Sequence, residues 1–244
     1  MSKKVGVIFY HRNILQLYHS SWIKKSVESI LNQEECDFKI YEVNYGGENY
    51  SVLSEMDHEK EFSFYVENFE NHAQAMNFIL DKAFGDDCDY VFNTNLDDYY
   101  SLDRIKKQMY FLIQGFDLVS TNLCYIQGDG NHDSIIKYMP LSEGDIKLHF
   151  ERNNNVIAHP SVAYSRRFWS HNRYIDTEIP EEDFSLWKRS LSNGFSIKIV
   201  PEYLLFYRLH SSQVTGNNDE KARFLREEKS RVNVSLPPNP IHIR

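Results

Sequence analysis

Asp97 and Asp98 are adjacent carboxylates that follow closely on a short apolar run, Tyr90-Val91-Phe92. Such a run of strand-forming residues reads as a buried strand that stops at Asn93. Two hard oxygen donors at a strand end suit a Mg²⁺ or Mn²⁺ ion that carries a phosphate. In an open α/β sheet, ligands bind beyond the carboxyl ends of the strands, which is where this pair would stand. Asp is also a common turn residue, so simple capping of a turn is the plain alternative. Ser101 is placed to cap a helix that opens at Leu102-Asp103.

Three more polar groups fall at the ends of expected elements. Asn44-Tyr45-Gly46-Gly47 closes a strand, and its two glycines permit unusual backbone angles and the close approach of a ligand. Glu182-Asp183 falls in the first turn of a helix opened by Ile179-Pro180, where acids match the helix dipole. Tyr207-Arg208-Leu209-His210 ends the last expected strand. Taken singly these have plain readings: ordinary first-turn acids, an ion-pair arginine, a loop histidine. His132, Asp133, His149 and His159 could be gathered into a metallohydrolase set, but no HExxH or comparable ligand spacing supports it.

The elements that must position these groups alternate. Residues 5–10 form an almost wholly apolar strand, as in a parallel sheet covered on both faces. A helix over about 21–32 carries Ile23, Val27, Ile30 and Leu31 on one face, and a strand over 38–43 completes a right-handed βαβ unit. A strand over 61–66, a helix marked by Met76, Ile79, Leu80 and Ala83, the acidic strand, a helix through Ile105, Met109 and Leu112, and a strand over 116–125 continue the alternation. The fold class is therefore α/β, with a mostly parallel central sheet flanked by helices. Beyond Gln127 the regularity fades. Residues 128–133 read as a hairpin tip, and 156–164 as a strand broken by Pro160. Phe184, Trp187 and Leu191 mark the buried side of the next helix. Strands over 195–200 and 203–209 follow, then a helix over 218–230 and an extended proline-rich tail over 236–240.

Composition narrows the class. The chain has 244 residues, 41% hydrophobic, enough for a substantial core. Its net charge of -8, with no basic stripe, argues against a nucleic-acid partner and disfavours anionic membrane lipid. Three distant cysteines, Cys36, Cys88 and Cys124, without a CxxC, argue against a disulfide framework. Met1-Ser2-Lys3-Lys4 leads straight into a strand without an apolar leader or anchor, so a soluble cytoplasmic protein with no transmembrane segment is expected.

Taken together, the motifs resemble those of GT-A nucleotide-sugar glycosyltransferases, most closely glycosyltransferase family 2. Residues 26–33, Ser-Val-Glu-Ser-Ile-Leu-Asn-Gln, resemble the family's S-x-x-S-I-L-x-Q helix. Asn95-Leu96-Asp97-Asp98 resembles its D-x-D-D, Glu182-Asp183-Phe184-Ser185-Leu186-Trp187 its E-D-x-x-L-W, and Tyr207-Arg208-Leu209-His210-Ser211-Ser212 its Y-R-x-H-x-x-S. The matches occur in the family's order. The resemblance implies a Rossmann-like GT-A domain over 1–215, with a nucleotide-sugar-binding half (1–125) and an acceptor-binding half (126–215), followed by a C-terminal helix and tail over 216–244. It implies an inverting transfer in one displacement from a nucleotide sugar, a UDP-sugar in first place, to a hydroxyl of a glycan or other acceptor. Asp97, Asp98 and His210 would bind the divalent metal, with Mn²⁺ slightly favoured over Mg²⁺ by the histidine. Tyr10, Arg12, Asn44, Asn95 and Asp97 would meet the donor, Tyr10 and Asn44 flanking the base. Asp183 would be the general base, and Trp169, Tyr174 and Glu182 would meet the acceptor. Asn95 and Asn44 stand where the family usually has Asp, which motivates one alternative, an inactive nucleotide-sugar-binding module. A sugar nucleotidyltransferase is the other, although Tyr10-His11-Arg12-Asn13 is not a glycine-rich phosphate loop. A homo-oligomer stays open.

Overall fold

The first strand is apolar at nearly every position because helices cover both of its sides. In the computed structural model, which describes residues 3–142, 144–179 and 181–210, it is β1 (Val5–His11). There follow α1 (Ile14–Leu17), α2 (Ser20–Leu31), β2 (Lys39–Asn44), β3 (Phe62–Val66), α3 (His72–Gly85), β4 (Tyr90–Asn93) and β5 (Tyr99–Tyr100). The chain continues through α4 (Arg104–Leu112), β6 (Leu118–Gln127), β7 (Ser134–Met139), α5 (Ile146–Glu151), β8 (Ala163–Ser165), α6 (Arg166–Trp169), α7 (Glu182–Ser192) and β9 (Ile197–Arg208). One compact unit extends through Leu209.

All nine strands join one sheet in the order β3-β2-β1-β4-β8-β6-β9-β5, with β7 paired to β6. The pairs β3-β2, β2-β1 and β1-β4 are parallel, as the βαβ spacing requires. Past β4 the sheet is mixed: β8 runs antiparallel to β4 and β6, while β9 runs parallel to β6. Side chains alternate between faces with the period of two. Val7 and Phe9 join the core of α2 and α4, whereas Ile8 joins the core of α3 and α7. Gly6 lets the second face close tightly, since a Cβ there would lie 3.1 Å from Cys88 Sγ and 3.2 Å from Tyr41.

Several expectations shift in the structure. The helix expected from Leu102 begins at Arg104, and Ser101 donates to Asp103 Oδ1 at 2.6 Å instead of capping it. The preceding Tyr99-Tyr100 is drawn into the sheet as an edge pair with β9, which delays the helix. Residues 159–161 form a 3₁₀ turn around Pro160, leaving only β8 as strand. The two strands expected at 195–209 are one, β9; its ladder to β6 shifts around Pro201, which has no N–H to give. All three cysteines are free. No helix among the described residues is long and apolar enough to cross a membrane. Pro180, Ser211-Ser212 and the expected tail elements over 216–244 lie outside the described residues.

Trp187 is fully buried among Tyr164, Phe168 and Tyr174, and its indole nitrogen has no hydrogen-bond partner. Trp187→Ala is expected to lower the free energy of unfolding by about 3–5 kcal/mol. Trp187→Phe should cost clearly less, because no indole hydrogen bond is lost. Urea denaturation of the two variants checks this; equal losses would contradict it.

Candidate active site

The parallel strands β1, β2 and β4 end at one edge of the sheet, with His11 opposite Asn44 and Ile8 opposite Asn93. The chain leaving β4 there is fixed by buried polar groups. Thr94 Oγ1 donates to the Ile8 carbonyl at 2.6 Å, and Arg104 Nη2 donates to the Asn93 carbonyl at 2.8 Å. Ser26 Oγ donates to the Asn95 carbonyl at 3.1 Å, and the Asn95 N–H donates to Tyr100 Oη at 2.7 Å. Tyr10 Oη donates to Asn95 Oδ1 at 2.7 Å, which leaves the amide N–H groups of Asn95 as its remaining donors.

The other expected donor residues are placed nearby with different freedom. Asn44 is fully buried, and both ends of its amide serve its own turn: Oδ1 accepts from Gly46 N–H at 3.1 Å and Nδ2 donates to the Tyr50 carbonyl at 3.2 Å. Arg12 is exposed, donates to the Glu70 carbonyl at 3.1 Å and lies over the Tyr45 ring. Beneath this edge sits a pair the sequence reading passed over. Glu42, fully buried, meets His11 Nε2 at 2.8 Å and accepts from Ser51 Oγ and Val52 N–H, each at 2.6 Å. An acid inside an otherwise apolar parallel strand, with a histidine ending the neighbouring strand, was the available signal.

Asp97 and Asp98 are both buried, 7% and 1% exposed. Asp98 Oδ1 accepts from the Arg208 N–H at 2.8 Å, while Asp98 Oδ2 is buried with no hydrogen-bond partner. Burial pushes the Asp98 carboxyl well above the usual carboxylate range, and the charge of Asp97 adds to the effect. Tyr18 faces the pair: burial raises its hydroxyl, and the charges of Asp97 and Asp98 raise it further. Arg208, fully buried and stacked on Trp22, donates through Nε to the Asp97 carbonyl at 2.9 Å. It also donates to Asp133, at 2.5 and 2.9 Å, on the hairpin tip between β6 and β7. Burial alone would raise Asp133, but its bonds to Arg208 and Lys25 hold it down at about 2. Among the described residues no three His, Cys, Asp or Glu side chains cluster as metal ligands. The buried Asp98 Oδ2 is thus the one oxygen of that carboxylate left without a hydrogen bond among the described residues. His210, half-buried, begins the unit after Leu209.

At the start of α7, Glu182 is buried and bonded to His72 Nε2, so it is occupied inside the protein and does not face an acceptor as expected. Asp183 is less buried and caps itself through Phe184 N–H at 2.6 Å. Burial raises its carboxyl to about 6; the Phe184 N–H opposes this and the neighbouring Glu182 reinforces it. First-turn position alone would keep it strongly ionised, but desolvation outweighs the dipole. Trp169 and Tyr174 also depart from expectation. They are 2% and 3% exposed and belong to the core, so neither offers a face to a sugar. Trp169 donates to Asp81 at 2.8 Å, and Tyr174 Oη meets Tyr164 Oη at 2.6 Å and His159 Nε2 at 2.9 Å. Burial and the neighbouring Tyr164 raise the Tyr174 hydroxyl.

Comparison with known proteins bears on the family and the fold. A family model described as glycosyl transferase family 2 matches residues 5–173. The O-antigen biosynthesis glycosyltransferase WbnJ of Escherichia coli is 27% identical over 198 residues, which cover 79% of this chain and 76% of WbnJ. Among solved structures, S. aureus TarS 1-349 with UDP-GlcNAc superimposes with a TM-score of 0.60 at 13% identity, covering 96% of this chain and 68% of that one. The mannosyltransferase PcManGT of Pyrobaculum calidifontis, with GDP-Man and Mn2+, gives 0.58 at 12% identity, over 96% and 66%.

The Asp183 environment has a thermodynamic consequence. Its folded-state value of about 6 lies above the ordinary 3.8, so between about pH 4 and 6 the folded chain holds this proton more tightly than the unfolded chain. Stability from this group is therefore withdrawn as pH rises through that window. Asp183→Asn keeps an oxygen for Phe184 N–H and never ionises. It should be more stable than the parent at about pH 7–8, by at most about 3 kcal/mol before solvent screening is discounted, and equal to it near pH 4. Thermal midpoints across that range check this; a difference that does not change with pH would overturn it.

Proposed function

Since the chain belongs to glycosyl transferase family 2 and is a glycosyltransferase, we propose that it is an inverting, metal-dependent enzyme transferring sugar from a UDP-sugar to a hydroxyl of a glycan or other acceptor. The observation that carries the reading is the acidic pair beyond β4, with one buried carboxylate oxygen of Asp98 left without a partner. Asp97 and Asp98 would hold Mn²⁺ or Mg²⁺; His210 enters as a ligand from its sequence motif alone. With only two carboxylates in reach among the described residues, diphosphate oxygens and water would complete the shell, as is usual for such ions. When bound, the metal would offset the charge that develops on the diphosphate leaving group. The pairing of TarS with UDP-GlcNAc and of PcManGT with GDP-Man and Mn2+ supports a nucleotide-sugar donor and a divalent ion.

This chain's own residues supply the rest. Asn95, held by Tyr10, presents its amide N–H groups toward the donor ribose, keeping a hydrogen bond where the family more often has a carboxylate. Tyr10 lies at the base end with Arg12 and Tyr45 beside it. Asp183 takes the proton from the acceptor hydroxyl as that oxygen attacks the anomeric carbon from the face opposite the diphosphate. Its raised value suits the role: ionised at neutral pH, yet a stronger base than an ordinary Asp. Buried Glu182 and half-buried His72 form a pair at the first turn of α7.

Two outcomes test the reading. UDP should bind more tightly with Mn²⁺ than with EDTA, and Asp97→Ala should erase that difference while the fold remains; calorimetric titration decides, and equal affinities in the parent count against the metal. Asp183→Asn should cut turnover by about 10²-fold or more while leaving donor affinity nearly unchanged. Near-normal transfer by that variant would make Asp183 a structural first-turn acid.

A further inference from the structure

Arg208 poses a problem for a cation site. It is fully buried directly beside Asp97 and Asp98, and a guanidinium turned onto those carboxylates would neutralise them in place of a metal. The structure directs it elsewhere. Four hydrogen bonds leave the guanidinium: Nε to the Asp97 carbonyl at 2.9 Å, Nη1 to the Gly128 carbonyl at 3.2 Å, and Nη1 and Nη2 to the two Asp133 oxygens. A planar guanidinium has five N–H donors, and these bonds engage four of them. The two-point bond to Asp133 fixes both direction and tilt, which a single contact would not.

The hairpin tip is built to bring that carboxylate in. The side chain of Asp133 is 2% exposed although the residue lies in a turn. Its Oδ1 accepts from Gly130 N–H at 3.0 Å, and Gly130, at φ 94, lies so close to Ser21 that a Cβ would stand 2.8 Å from it. Trp22 covers the guanidinium face and donates to the Gly128 carbonyl at 3.1 Å.

We propose that Asp133 is a positioning residue for the acidic pair: by capturing Arg208 it keeps the guanidinium off Asp97 and Asp98 and leaves those carboxylates to a divalent cation. The inference rests on the metal reading above. Arg208 then serves as a scaffold for the loop, through its Nε bond to the Asp97 carbonyl and its main-chain N–H bond to Asp98 Oδ1, while its charge is spent on Asp133.

The test uses the full chain and Mn²⁺ alone, titrated by the electron paramagnetic resonance of the free ion, with UDP affinity in EDTA as a second readout. Asp133→Asn should weaken Mn²⁺ binding about 10–100-fold, the scale for supporting residues around a metal. In EDTA its UDP affinity should be unchanged or higher, since the freed guanidinium also attracts a diphosphate. The double variant Asp133→Asn/Arg208→Gln should regain most of the Mn²⁺ affinity, because no competing cation remains. This uncharged pair also carries the test if the single variant fails to fold. If the parent binds no Mn²⁺, the metal site itself falls and this role with it. If the parent binds and Asp133→Asn binds within about twofold of it, only this role is overturned. A double variant as weak as the single one overturns it too, by showing that Asp133 acts only as a hairpin staple.

Discussion

A chain segment that enters the interior without regular structure must find a partner for each peptide group, and the loop after β4 is such a segment. Ile8, Ser26, Tyr100, Arg104 and Arg208 all meet residues 93–98, and most of those contacts are to main-chain atoms. An orphaned buried peptide group costs about as much as a lost hydrogen bond. The loop is therefore determined by groups drawn from β1, α2, β5, α4 and β9 together. The direction of the two carboxylates is a consequence of that satisfaction, and so is the burial of two arginines in a protein of ordinary composition.

Much of the frame was legible because it obeys periodicity. The near-continuous apolar runs of β1 and β4 and the one-sided faces of α2 and α3 follow from what each element covers. The hairpin at 128–133 followed from its glycines and polar residues. Local rules failed where long-range pairing took over: Ser101 has every quality of a helix cap, yet Tyr99-Tyr100 pairs with β9 and moves the helix start. Trp169 and Tyr174 sit in a stretch without clear periodicity, which reads as surface, but α6 and the segment after it pack into the core with α3 and α7. The acids themselves were visible. What they are bonded to was not, since Asp133 and Arg208 are 75 residues apart and nothing in their spacing announces the pair.

Asp183 and Glu182 show how neighbours with one chemistry are given different states. Glu182 turns inward to His72, and its bond to that histidine outweighs burial, so its carboxyl is lowered; Asp183 lacks such a partner and is raised. The buried hydroxyls of Tyr164 and Tyr174 and the neutral side of His159, which burial lowers to about 4, surround them without adding a compensating charge. A protein interior can thus push the proton affinities of two adjacent carboxyl groups in opposite directions through their surroundings.

The bond from the Arg208 N–H to Asp98 spans 110 positions of the chain. At the usual pace of synthesis, the acidic loop leaves the ribosome on the order of ten seconds before the strand that anchors it. During that interval β1, β2 and β4 can pair, but the loop has neither Arg208 nor the edge pairing of Tyr99-Tyr100 to hold it. Closure over so long a loop also makes this contact a late one in any refolding from the full chain. The loop therefore takes its final form only once β9 has been made, after the strands that precede it already exist.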